Sequence, residues 1–420
     1  MNIVFLGIVF VAFVSAAVRE ILWAGGQISP MESLSKGMIE SAAGSVELAL
    51  GLIGVMTLFL GLMKVAEAGG LLRVIAALIR PLMAKLFPEV PAHHPAMGAM
   101  ILNLSANVMG LGNAATPFGI RAMQELNTLN PRPGTATDSM ALFLAINTSS
   151  VTLLPTGVIA LRAAAGSADP AGILPTTLFA SVCSTAAGII AAKLYARFFQ
   201  SEPLNNEERG QGGGENQTPE EAYPLWVSLT AIGVLCAMIP VVVMYGKPVS
   251  PWIIPCLMVG FLGYGVMMRV RVYEVFVEGA KEGFQVAVRI IPYLVAILVA
   301  VGMFRASGSL DFMVNWLGPL TARVGLPAEA LPMALMRNLS GSGAYGILAS
   351  IIQDPAIGPD SYTGYVVSTL QGSTETTFYV LAVYFGAVQV RRVRHTLAAA
   401  LTADLIALIA TVFICSLLYR

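Results

Sequence analysis

The sequence predicts an all-α polytopic membrane protein with about nine transmembrane helices, two re-entrant hairpins and two inverted repeats. Three observations predict it. Of 420 residues, 56% are apolar and only 11% charged, where about a quarter charged is usual for a soluble surface. Apolar runs near the length of about 20 residues that spans a bilayer core recur along the whole chain. Polar motifs also recur in the same order in the two halves.

In chain order, the apolar runs cover residues 3–18, 46–65, 140–161, 173–194, 225–245, 253–268, 286–304, 365–390 and 397–418. Their unbroken apolarity excludes barrel strands, which alternate, so each is a helix. No Lys or Arg precedes the first run and Arg19-Glu20 follows it, which makes it a retained span rather than a secretory signal. Residues 71–86 and 310–324 are amphipathic and read as interfacial helices or as ordinary helices packed on the bundle. Cys183, Cys236, Cys256 and Cys415 lie in or at the ends of apolar runs without metal or redox spacing, and read as small core residues.

A polar stretch rich in Gly, Asn and Glu, residues 201–223, links a first unit (1–200) to a second (224–420). The units share collinear landmarks. Leu72 and Pro81 stand at the same separation as Leu310 and Pro319, Asn103-Leu104-Ser105 answers Asn338-Leu339-Ser340, and Asn147-Thr148-Ser149-Ser150 answers Gln371-Gly372-Ser373-Thr374. Several matches in one order indicate a duplicated fold.

Residues 95–127 and 330–353 can each be drawn as a crossing or as a hairpin that turns back inside the membrane. Charge chooses between the drawings. With two hairpins, sixteen Lys and Arg fall on one side and eight on the other; with two crossings the split is nearly even. Basic residues gather in cytoplasmic loops, so the hairpins are preferred, with a cytoplasmic N-terminus, an external C-terminus and oppositely oriented repeats.

The candidate site is the set of polar groups placed where lipid penalises them. The first hairpin tip holds Asn103, Ser105, Asn107 and Asn113; the second holds Arg337, Asn338, Ser340 and Ser342. Asn147, Thr148, Ser149 and Ser150 precede a break expected at Pro155, and Gln371, Ser373 and Thr374 surround a weak point expected at Gly372. Such residues also simply join helices, at about 1 kcal/mol each. Glu375 is the sharpest case, because a mid-span carboxylate costs about 2.5–3.5 kcal/mol on insertion scales. Arg337 is its natural partner, and the two read as an ion-coupling pair for H⁺ or Na⁺ or as a structural ion pair. Val151 stands where Glu375 would align, so charge chemistry is confined to one repeat.

His93-His94 do not share a helical face and make a weak metal candidate; Asp404 reads as a relay or a hydrogen-bonded carboxyl. Glu47, Lys64, Glu67, Glu278, Lys281 and Glu282 read as interfacial ion pairs and anchors. Without a Walker loop, GxSxG, zinc spacing or a Cys/His nucleophile pattern, the chain reads as neither enzyme nor cofactor protein, with no catalytic residue and no metal site. Zero net charge gives no reason to expect nucleic acid. The partners expected are membrane lipid, a small polar solute, a coupling ion and a second copy of the chain.

GLIGVMTLFLGLMKVAEAGGL, LFPEVPAHHPAMGAMILNLSANVMGLGNAATPFG and NTSSVTLLPTGVIALRAAAGSADP resemble spore maturation protein A across residues 1–200. EGAKEGFQVAVRIIPYLVAILVAVGMFRASG, ALMRNLSGSGAYGIL and QGSTETTFYVLAVYFGAVQVRRVRH resemble spore maturation protein B across residues 226–420. Both belong to the Gate, or nucleoside-recognition, group, which is similar to parts of concentrative nucleoside transporters and of the ferrous iron transporter's membrane domain. The resemblance implies an inverted-repeat fold of Gate type in a bacterial inner membrane, with ligand held at residues 103–107, 147–150, 338–342 and 371–376. Without a GTPase domain or evident metal-handling cysteines, iron is a poor fit. The resulting expectation is a transporter of a small polar, nucleoside-like solute, with a scaffold for spore or envelope maturation as the alternative and a channel as a third reading.

Overall fold

The computed structural model describes residues 2–25, 28–110, 115–199 and 223–420. Among them the chain is all-helical apart from one isolated bridge between Thr135 and Arg392. Asn113 and the linker residues 201–222 lie outside the described residues.

The first half runs α1 (Asn2–Ile21), α2 (Pro30–Ala68), α3 (Leu71–Leu86), α4 (Pro95–Val108), α5 (Ala115–Thr128), α6 (Asp138–Thr148), α7 (Thr156–Ala164) and α8 (Ile173–Ala196). The second runs α9 (Leu225–Met267), α10 (Val272–Ala306), α11 (Ser309–Ala322), α12 (Leu331–Leu339), α13 (Gly341–Ile352), α14 (Tyr362–Ser373), α15 (Thr377–Ala387) and α16 (Thr396–Tyr419). Local chemistry repeats along with the order. Gly70 and Gly308 both take left-handed φ, +85° and +74°, at the entries to α3 and α11. Thr137 and Ser361 cap α6 and α14 by accepting from the N–H three residues on.

Three helices, α2, α8 with its lead-in (Pro170–Ala196) and α16, are long and apolar enough to cross a membrane by length and composition among the described residues. The expected separate spans at 225–245 and 253–268 are corrected: α9 runs unbroken over 43 residues. Apolar sequence on both sides of the intervening Tyr245-Gly246-Lys247 leaves no polar stretch long enough to end the helix.

The two longest contacts are antiparallel and join matching helices of the two halves. Along α2 and α10, Gly37 meets Ala306, Ser41 meets Gly302, and Gly283 faces the backbone of Met56 and Thr57. A Cβ at Gly283 would stand 2.8 Å from the Met56 carbonyl oxygen, so glycine sets how near the helices come. Of the residues expected to form ion pairs, Lys64 pairs at this seam with Glu67 at 3.5 Å and with Glu282 at 3.3 Å. Along α8 and α16, Phe179 packs on Phe413, the Ser184 hydroxyl donates to the Ala403 carbonyl, and Tyr195 meets Thr402.

Each half also grips the other's loop. Arg162, fully buried at the end of α7, pairs with Asp360 at 2.9 Å, donates to the carbonyls of Pro359 and Asp169 and to the hydroxyls of Ser167 and Ser368, and lies 4.3 Å over the Tyr365 ring. Arg394, beyond α15, pairs with Asp138 at 2.7 Å and donates to the carbonyls of Ala136 and Phe199. Beside the second junction, burial first and the Asp138 carboxylate next raise the Glu89 pKa above the ordinary glutamate value.

Two outcomes follow for purified protein in scanning fluorimetry. Gly283→Ala, which drives a Cβ into backbone, lowers stability by about 1–3 kcal/mol, whereas Gly61→Ala, whose new Cβ meets the movable Phe276 ring first, costs less. Asp360→Asn, which leaves the Arg162 guanidinium without its counter-charge, costs about 2 kcal/mol, while breaking the exposed Lys36–Glu40 pair costs under about 0.5 kcal/mol.

Candidate functional site

The site is built from four interruptions of helix. The arms α4 and α5 are 14 residues each, about 21 Å at 1.5 Å per residue, and pack against each other as a hairpin. Neither arm reaches across a core of about 30 Å. Within the hairpin the Asn103 amide donates to the Ala115 carbonyl at 2.8 Å and to the Tyr384 hydroxyl at 3.3 Å. In the second hairpin-like element, α12 and α13 are only 9 and 12 residues and part at Ser340, whose backbone is extended. Its hydroxyl accepts from the Gly343 N–H and stands 3.4 Å from the Ser342 hydroxyl.

The expected break before Pro155 is present. Between α6 and α7 the chain unwinds over residues 149–155, with Pro155 at the α7 start. The expected weak point at Gly372 is corrected: α14 continues to Ser373, and Thr374 to Thr376 are extended. Gly372 serves packing instead, since a Cβ there would touch Thr177 and Pro155 at 3.0–3.1 Å. What ends α14 is a competing partner, because the Glu375 N–H donates to the Thr148 carbonyl at 2.8 Å rather than to its own helix.

That bond joins the two breaks, and further contacts tie in both tips. The Asn107 amide donates to Asn147 Oδ1 at 3.0 Å, and the Leu153 N–H donates to the Val108 carbonyl. Gly110 has φ +77°, and a Cβ there would lie 2.3 Å from the Leu154 carbonyl oxygen, so only glycine fits the tip against the break. On the other side, Arg337 Nη1 donates to Thr376 Oγ1 at 3.3 Å and Nη2 lies 3.9 Å from the Glu375 carboxylate. Thr185 closes the network by donating to the Ser149 carbonyl.

The expected residues separate into two groups. Asn107, Asn147, Thr148, Arg337 and Glu375 meet in this network, Asn103 bonds only Ala115 and Tyr384 within and beside the first hairpin, and Gln371 is buried near the network with Oε1 lacking a protein partner. Ser105, Ser149 and Ser373 bond carbonyls of their own helices, at Ile101, Ala145 and Leu370. Ser150 and Thr374 are buried at the breaks, and Asn338 is partly exposed beside Arg337. Asp404 accepts from the Thr377 hydroxyl at 2.7 Å, one residue beyond Thr376. His94 caps α4 by accepting from the Ala96 N–H, a structural task. Sequence reasoning missed Tyr384 and Thr185. Each is a lone hydroxyl inside an apolar helix, and that was the signal available. It also missed a cleft of about 660 Å³ along the outer face of α5, lined by Thr116, Arg121, Gln124, Glu125 and, from α15, Tyr379.

Apolar helices too short to cross, paired across unwound polar segments, define a polytopic membrane protein with a buried polar centre. The chain belongs to the Gate family, described as nucleoside recognition, whose sequence model matches residues 49–165 and 287–391. It is similar to spore maturation protein B of Bacillus subtilis (strain 168), 48% identical over 166 residues, covering 40% of this chain and 92% of that protein. It is also similar to spore maturation protein A of the same organism, 42% identical over 165 residues, 39% of this chain and 84% of that protein. Inner membrane protein YjiG of Escherichia coli (strain K12) is 32% identical over 104 residues, 24% of this chain and 65% of that protein. Among solved structures, CNTnw in an inward-facing substrate-bound state aligns over 100% of this chain and 98% of its own, with TM-score 0.48 and 13% identity.

Asn107→Ala leaves Asn147 Oδ1 buried without its donor and lowers stability by about 1–3 kcal/mol, read as the shift of the unfolding midpoint in detergent. Ser105→Ala, which removes only a bond back to its own helix, costs less than about 1 kcal/mol in the same measurement.

Proposed function

We propose that this chain is a secondary transporter of a small polar solute in a bacterial inner membrane. The observation that carries the proposal is the meeting of two helix breaks and two helix-pair tips in one hydrogen-bonded centre. Broken helices in lipid are tolerated where they line a binding cavity, because only there do ligand, water or protein satisfy the freed backbone groups. Glu375 adds to this. Its side chain is 45% exposed while Arg337 is 7% exposed, and lipid contact would be costly for a carboxylate, so the open side of Glu375 faces an aqueous path.

In this reading α4–α5 and α12–α13 are re-entrant, and residues 1–200 and 224–420 form inverted repeats joined by the 201–223 linker. The antiparallel pairing of α2 with α10 and of α8 with α16 supports the inversion. The N-terminus is cytoplasmic, as the distribution of Lys and Arg favours. Glu375 takes up H⁺, or coordinates Na⁺, as the solute binds, with Arg337 and Asp404 as the charged groups around it.

In proteoliposomes carrying the full chain, a pH gradient drives solute accumulation, and Glu375→Gln abolishes that drive while leaving exchange of solute across the membrane. Unchanged pH dependence in the variant removes the coupling role. Ala at Asn103, Asn147, Asn338 or Gln371 lowers flux in protein that still folds. A scaffold for spore or envelope maturation, which the names of the two B. subtilis relatives favour, tolerates those four substitutions.

A further inference from the structure

Resting on the transport reading, we infer that the solute carries one oxyanion group, a carboxylate or a phosphate, which docks on Arg337 and the amino-terminal ends of α13 and α15. The buried guanidinium is incompletely used. Nε has no partner in the protein, Nη1 reaches Thr376 Oγ1 only at 3.3 Å, and Nη2 stands 3.9 Å from Glu375. A charge-assisted hydrogen bond between guanidinium and carboxylate closes to about 2.7–2.9 Å. The one here is too long for that, so the charge is held ready rather than consumed.

Its surroundings suit an anion. The Gly341 and Ser342 N–H groups precede the first intrahelical bond of α13, which Ala344 donates to the Ser340 carbonyl. The first N–H groups of α15 likewise begin beside Thr376, which offers them no side-chain cap. Position 341 lacks a side chain where one would stand 2.9 Å from Thr376 Oγ1 and 3.7 Å from Arg337 Nη1. Two helix ends, a hydroxyl and a guanidinium thus lie close together, the kind of donor set that oxyanions take.

The charge is one-sided, which sets the shape of the solute. Leu102 precedes Asn103 as Arg337 precedes Asn338, and Val151 stands where Glu375 would align. One end therefore binds a single anionic group, while the other end, with no charged side chain at the matched positions, suits a neutral body. Glu375 is the internal competitor that the arriving oxyanion displaces from the guanidinium.

The test is ligand-dependent thermal stabilisation of the full chain in nanodiscs, with two probe pairs that differ in charge: nicotinate against nicotinamide, and uridine 5′-monophosphate against uridine. Inorganic phosphate serves as the minimal probe. The expected result is that an oxyanion member binds at least tenfold tighter than its neutral counterpart, and which pair responds separates carboxylate from phosphate. Arg337→Gln removes that preference, Arg337→Lys retains part of it, and Glu375→Gln strengthens oxyanion binding severalfold. Neutral members binding as well as charged ones, or no stabilisation by any oxyanion up to about 10 mM, overturns the inference without reliance on any variant. Oxyanion-selective binding without flux in proteoliposomes removes the transport reading alone, and flux of a neutral probe with no oxyanion preference removes this one alone.

Discussion

A single backbone bond across the centre, from the Glu375 N–H to the Thr148 carbonyl, is the constraint on which the rest of the structure depends. A bilayer core offers no water to a peptide group released from its helix, and each unsatisfied group costs several kcal/mol. A lone broken helix is therefore unaffordable, but two breaks placed side by side can exchange their released groups. Where α6–α7 meets α14–α15 one such bond is made, from the second break to the first, the Leu153 N–H of the first break bonds to Val108 of the neighbouring tip, and the Arg337 side chain adds a bond to the Thr376 hydroxyl.

The same logic of exchange operates away from the centre. Arg162 follows the broken helix of the first half and holds Asp360, just ahead of the broken helix of the second. Arg394 follows the second broken helix and holds Asp138, at the start of the first. Each half thus supplies the cation that fixes the entry of the other half's discontinuous helix. Neither half thus completes its own polar network.

The fold was legible wherever one local property decides it. Apolar length marked α8 and α16, and amphipathic period marked α3, whose bounds of 71–86 match the expectation. Pro155 announced the first break through its own missing N–H. The second break was misplaced because Gly372 carries the local signal, whereas the competing acceptor is a Thr148 carbonyl more than two hundred residues away. Arg162 was passed over for a related reason: at the end of an apolar run it reads as an interfacial anchor, and only Asp360 and Tyr365, distant in sequence, bury it. The polar clusters were found by composition. Their sorting into network members such as Asn107 and self-bonded residues such as Ser105 depends on rotamers that sequence spacing does not encode.

Duplication also explains how charge could be placed at such a centre at all. The backbone exchange is made by peptide groups, which every residue supplies, so it survives whatever side chains stand at the breaks. Side chains at matched positions are then free to diverge: Leu102 and Val151 in one half, Arg337 and Glu375 in the other. An isolated cation on one break would face its full desolvation cost, but here it stands within reach of a carboxylate, a hydroxyl and the ends of two short helices. The backbone bond between the breaks offsets part of the cost of breaking helices in lipid, while Arg337 and Glu375 confine charge to the second half.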